Sequence, residues 1–169
     1  MILFGMSGAA SFVGVAALAD KAGKQSALGL IEASAAVGAS AAGFAWTRLR
    51  GEPAWTSALA ALLLLTATAQ VGALATAPHL VLVGAFLVLC GAAAAPVFVV
   101  AYTAADGLVM PEQRTEASTW VITAINGGNA TGTAVAGLVL AVSDNAPFAL
   151  AALLSASAGS ALLVRRRRR

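Results

Sequence analysis

The stretch Leu80–Ala105, LVLVGAFLVLCGAAAAPVFVVAYTAA, runs for 26 residues without a charged side chain. Roughly 20 apolar residues at 1.5 Å each cross the 30 Å hydrocarbon core of a bilayer, so this length is typical of a transmembrane helix. The alternating pattern of a membrane-barrel strand is absent from it. Because an open strand in lipid would leave its backbone N–H and C=O groups unpaired, we predict a helix.

Five further apolar segments flank this one, and together they predict an all-α membrane protein, a bundle of six transmembrane helices. The predicted spans are 2–19, 26–47, 54–76, 80–105, 115–142 and 148–164, followed by a basic tail at 165–169. Composition agrees, because 60% of the 169 residues are apolar and only 10% are charged, against roughly 25% charged in soluble domains. With a mean hydropathy of +0.88, the expected solvent is the lipid bilayer.

The basic residues predict the orientation of the bundle. Eight of them, Arg48, Arg50, Arg114 and Arg165–Arg169, fall on one side, whereas only Lys21 and Lys24 fall on the other. Lys and Arg collect in cytoplasmic loops, so we expect both termini to be cytoplasmic in a multi-pass protein of the cell (inner) membrane. The terminal arginines directly follow an apolar helix, and we interpret them as an anchor to anionic lipid rather than a nucleic-acid site.

The predicted helices differ in their polar content. The third and sixth have few polar side chains at their middles, which predicts that they tolerate lipid all around. The second and fifth are rich in Gly, Ser and Thr, and Gly128 and Gly132 have the spacing at which two helix backbones approach closely. These two helices are therefore predicted to line a cavity or an interface.

Several segments together carry a resemblance to a known family. They are 38–43 leading into 46–50, the run 91–96 continuing to Tyr102, the loop 109–117, and the small-residue run 127–137. The chain resembles the C-terminal six-helix half of a major facilitator superfamily (MFS) transporter, and the resemblance covers nearly its whole length.

The resemblance implies a function and a partner. It implies half of a secondary transporter that moves a small-molecule substrate by alternating access with expected coupling to protons, and drug-like efflux is the commonest role in similar proteins. Because such carriers have twelve helices in two halves, a second six-helix half is expected, either a second copy in a homodimer or a separate chain. The alternative is a non-transporting structural or regulatory membrane subunit, or a truncated carrier remnant.

Glu32 is the sharpest candidate for the proton pathway. It lies six residues into the predicted second helix, roughly 9 Å from the outer surface at 1.5 Å per residue. A carboxylate at membrane depth is costly and usually functional, and a proton-coupled carrier needs one. The other possibility is that Glu32 sits at the wet outer rim or pairs with Lys21 or Lys24.

Polar side chains recur at helical spacing on the predicted fifth helix and could contact a substrate: Thr123, Asn126, Asn129 and Thr133. The alternative is that they are structural and hydrogen-bond a neighbouring helix. Tyr102 is a further candidate for the substrate pathway. Pro96 removes a backbone donor in the predicted fourth helix, and the resulting kink is either a hinge or static.

Charged residues at the cytoplasmic ends form a candidate gate of ion pairs: Arg48, Asp106, Arg114 and Glu116. Such charges more often stabilise helix ends, and Glu116 suits the start of the fifth helix. The chain has one histidine, no Cys/His metal spacing and no phosphate-binding loop. We therefore predict no enzymatic activity, no cofactor and no nucleic-acid partner.

Overall fold

The structure is a computed structural model that describes residues 1–48, 54–77 and 79–167. Within these residues it contains six α-helices and no strand, so the predicted all-α bundle of six helices is confirmed. The helices are α1 (Ile2–Lys21), α2 (Leu28–Arg48), α3 (Trp55–Thr76), α4 (Leu80–Gly107), α5 (Arg114–Leu140) and α6 (Ala146–Arg167). Single 3₁₀ turns, Gln25–Ala27 and Pro111–Gln113, precede α2 and α5.

Five of these helices, α1 to α4 and α6, are long and apolar enough to cross a bilayer, which fits a multi-pass membrane protein. Helix α5 was predicted as a sixth span but falls below this level of hydropathy. The physical reason is its central stretch, where threonines, asparagines and glycines replace the aliphatic side chains of the other helices.

The last helix differs from the prediction at both ends. It begins at Ala146 rather than at Phe148, and Pro147 occupies its first turn, where a missing backbone N–H costs nothing. It continues through Arg167, so the first residues of the predicted basic tail at 165–169 extend the helix, and the cytoplasmic position of that tail stays a prediction. Arg168 and Arg169 lie outside the described residues, as do Arg50 and the rest of the second–third loop through Pro53.

The most extensive helix contacts follow the order α2–α4–α3–α6–α1–α5, with α2 and α5 at its two ends, and α5 makes smaller contacts with α4 and α6. Half of the most apolar stretch of α3 is buried, against 11% of that of α2. Lipid therefore does not surround α3, whose composition was predicted to tolerate it, because α4 and α6 cover this helix on two sides.

Glycines set the two closest helix approaches. On α5, Gly128 and Gly132 lie directly against the backbone of Ile2 and Met6 on α1. On the other side of the bundle, Gly38 of α2 faces the carbonyl of Val88 on α4. The Gly128–Gly132 spacing thus serves packing within the bundle, and it leaves the opposite face of α5 uncovered.

Candidate functional site: a polar cavity between α1 and α2

A buried glutamine organises the polar interior of the bundle. Gln70 lies in the C-terminal half of α3 and is only 2% exposed. Its Nε2 donates to Ser7 Oγ at 2.7 Å and to Ser11 Oγ at 3.1 Å. Ser7 and Ser11 are four residues apart on α1, so a single face of that helix presents both hydroxyls to α3.

The hydroxyl protons of this cluster can be assigned. Ser7 Oγ donates to the carbonyl oxygen of Ala151 at 3.0 Å and lies 2.7 Å from Ser155 Oγ. Since Ser7 has one hydroxyl proton, Ser155 donates to Ser7. Both amide protons of Gln70 are then used, whereas its Oε1 is buried without a partner among the described residues. An unpaired buried acceptor costs roughly 1–3 kcal/mol, so this oxygen is an unsatisfied polar atom in the interior of the bundle.

Gln70 lines a cavity of about 170 Å³ that opens between α1 and α2. Helices α1 and α2 scarcely touch, whereas α3 and α4 pack together behind them and form the back of the cavity. Gly8 and Phe12 are exposed residues of its wall and mark its open side. The polar side chains of the lining are Ser7, Ser11, Glu32, Thr66 and Gln70.

Glu32 contributes the carboxylate of this cavity from α2 and is half-buried. It is not paired with Lys21, which forms an ion pair with Asp144. Lys24 lines a different cleft, between the starts of α2 and α4. Among the described lining residues Glu32 and Cys90 are the titratable groups, and no basic side chain is present. The described lining therefore combines one carboxylate with the Gln70 side chain and carries no fixed positive charge.

The remainder of the wall is apolar or aromatic, with Phe4, Phe12 and Leu87 alongside small alanine and glycine residues. Such a low-dielectric wall strengthens the interaction of Glu32 with any charge that enters, because less water is present to screen it. Chemically, the site can exchange a proton at Glu32 or hold a positively charged donor between Glu32 and Gln70.

The predicted polar residues of α5 do not join this cavity. Thr123, Asn126, Asn129 and Thr133 are all exposed on the bundle. Thr133 Oγ1 donates to the carbonyl of Asn129 within α5, and neither asparagine side chain has a hydrogen-bond partner in the described part of the chain. The structure thus separates these four residues from Glu32, with which they were grouped by sequence.

A second cleft, about 460 Å³ in volume, lies between the end of α4 and the start of α5. Tyr102, Asp106 and Arg114 line it, and the Tyr102 ring stacks on Phe98 with centroids 6.5 Å apart. Ser118 Oγ donates to Asp106 Oδ1 at 3.4 Å. Tyr102 is thereby grouped with the candidate gate and not with Glu32.

The candidate gate does not close through ion pairs in this structure. The one ion pair found within the described residues is Lys21–Asp144. Arg48 is exposed at the end of α2, and Glu116 accepts a long hydrogen bond from Trp120 Nε1 at 3.5 Å. Glu116 lies in the first turn of α5, where a negative charge stabilises the helix. Helix α4 continues without interruption through Pro96, which is buried.

Sequence reasoning missed Gln70, Ser7, Ser11 and Ser155. Gln70 carried a readable signal, because it is the one residue of the Trp55–Thr76 run with a side-chain amide. Polar residues within an apolar span usually face the interior of a bundle. The serines carried no such signal, since small residues are scattered along all six helices.

Comparison of this chain with protein families, with curated proteins and with solved structures finds no match.

Proposed function

We propose that the chain is half of a secondary transporter, MFS-like in its arrangement, which moves a small molecule across the cell membrane in exchange for protons. The observation that carries the proposal is the cavity between α1 and α2, which is lined both by Glu32 and by Gln70, whose Oε1 is buried without a hydrogen-bond partner among the described residues. Maintaining both groups inside a bundle of apolar helices is costly. A binding site for a proton and a solute would explain why these costly polar groups are present.

The exposed face of α5 supports a second half as partner. Its asparagine and threonine side chains are exposed, outside the contact that its glycines make with α1, and α5 is the helix least suited to contact lipid. Amide groups in hydrocarbon without hydrogen-bond partners cost several kcal/mol each. A second copy of this chain or a separate six-helix chain placed against α5 would satisfy these amides. Arg48 at the end of α2 and the arginines at the end of α6 support a cytoplasmic position of both termini in this proposal.

Proton flux in reconstituted vesicles tests the proposal. The full chain is placed in liposomes that contain a pH-sensitive dye, and a panel of small cations, neutral solutes and anions is added outside, one at a time. We expect at least one solute to drive a change of internal pH. Glu32→Gln should abolish this change, because the amide cannot exchange the proton.

Glu112→Gln is the matched control, because Glu112 is an exposed carboxylate in the short turn before α5 and lies outside the cavity. It should retain the full solute-dependent flux. If Glu32→Gln transports as well as the unaltered chain, Glu32 is not the coupling group. If no solute moves protons, a structural or regulatory membrane subunit is the better description.

A further inference from the structure

The lining of the cavity between α1 and α2 specifies the chemistry of its ligand. We infer that it binds a small organic cation with N–H donors, such as an alkyl-ammonium or guanidinium group, between Glu32 and Gln70. This inference names the substrate class of the carrier proposed above and rests on that proposal for its biological meaning. Binding itself requires only the geometry of the cavity.

Charge is the first reason. Deprotonated Glu32 brings a negative charge to the lining, and no Lys, Arg or His among the described lining residues balances that charge. Its nearest basic neighbours along the chain do not line this cavity, because Lys21 pairs with Asp144 and Lys24 lines the adjoining cleft. An anion would therefore meet uncompensated repulsion, whereas a cation would neutralise the carboxylate in a poorly screened site.

Hydrogen bonding is the second reason. The Oε1 of Gln70 is a buried acceptor that has no donor among the described residues, although Nε2 of the same side chain is fully used. A ligand with an N–H group satisfies this oxygen, whereas a quaternary ammonium cannot. The acceptor thus separates two kinds of cation that carry the same charge.

Size is the third reason. The cavity measures about 170 Å³, and a cavity of about 150 Å³ holds a benzene ring. A group of about six heavy atoms therefore fills it, and a longer ligand would extend past Phe12 at the open side. Phe4 and Phe12 also offer ring surfaces, which attract cations from within about 6 Å.

Equilibrium binding to the purified full chain in detergent tests the inference without any transport. The probes are methylguanidinium, its neutral counterpart N-methylurea, and tetramethylammonium, a cation without N–H donors. We expect methylguanidinium to bind at least tenfold more tightly than methylurea. Glu32→Gln should weaken methylguanidinium at least tenfold, whereas Glu112→Gln should leave its affinity unchanged.

Gln70→Met tests the acceptor separately. This substitution should weaken the binding of methylguanidinium and leave the binding of tetramethylammonium unaffected. Ser155→Ala disturbs the same cluster but keeps Oε1, so it should change neither affinity by more than about twofold. If methylurea binds the unaltered protein as tightly as methylguanidinium, or if neither cation binds, the inference is wrong, and this comparison needs no variant. Cation binding without solute-driven proton flux would retain the inference and refute the carrier. Proton flux driven only by neutral solutes or anions would retain the proposed carrier and refute the inference of a cationic ligand.

Discussion

The contact between α1 and α5 makes a quantitative prediction about two adjacent glycines. A Cβ added at Gly128 would overlap the carbonyl oxygen of Ile2 and lie 3.0 Å from its carbonyl carbon and 3.1 Å from its Cα. These are backbone atoms, so no side chain can move aside. A Cβ added at Gly127, one position away on the same helix, would meet nothing within 4 Å.

The difference between Gly128→Ala and Gly127→Ala isolates this contact. Alanine favours a helix over glycine by about 1 kcal/mol, and because both residues lie inside α5 this gain cancels in the comparison. Carbon atoms are in optimal contact at about 3.5–4.0 Å, so α1 and α5 must separate by at least several tenths of an ångström. Forced overpacking of this kind typically costs about 1–3 kcal/mol. We therefore expect Gly128→Ala to be less stable than Gly127→Ala by about 1–3 kcal/mol.

Reversible unfolding in mixed detergent and sodium dodecyl sulfate, followed by circular dichroism, measures both free energies under identical conditions. Gel filtration of the same samples verifies that the two variants have the same oligomeric state, so that only the intramolecular contact differs. Equal free energies of unfolding, within about 0.5 kcal/mol, would show that α1 and α5 do not approach as closely as the structure has them, and the packing order of the bundle would need revision.

Three other substitutions test the interior and the rim of the bundle. Phe148→Ala removes a fully buried ring that contacts Gly14 in the core cluster with Val15 and Leu18, and unfolding measurements should show a loss of about 3–5 kcal/mol. Ser155→Ala removes the donor to Ser7 and should cost about 1 kcal/mol, whereas Ser157→Ala, whose exposed hydroxyl bonds only to Leu154 of its own helix, should be neutral. A double-mutant cycle of Lys21→Ala and Asp144→Ala should give a coupling free energy below about 1 kcal/mol that decreases when salt is added, because both side chains of this ion pair are largely exposed. A larger coupling free energy that does not change with salt would contradict the solvated position of the pair.

The sequence alone determined that the chain is helical and suited to a bilayer. Both properties are local, because a helix in lipid must satisfy its backbone within its own segment and an apolar run must be long enough to cross. The six helices followed from this requirement, and so did the approximate places where they end. The exception is α6, where arginine continues the helix through Arg167, because its side chain does not oppose helix formation.

Only the tertiary structure decided which faces meet, because that depends on contacts between residues far apart in the chain. Gln70 joins Ser7 across 63 positions, and Ser7 joins Ser155 across 148. Helical spacing placed Asn126 and Thr133 on one face of α5 but could not tell that the glycine face packs inward and leaves them exposed. Glu32 was recognised in the sequence because a carboxylate in an apolar span is energetically costly. Gln70, which lines the same cavity, was recognised only from the packing of α3 between α4 and α6. A cavity is a property of several helices at once, and no single segment encodes it.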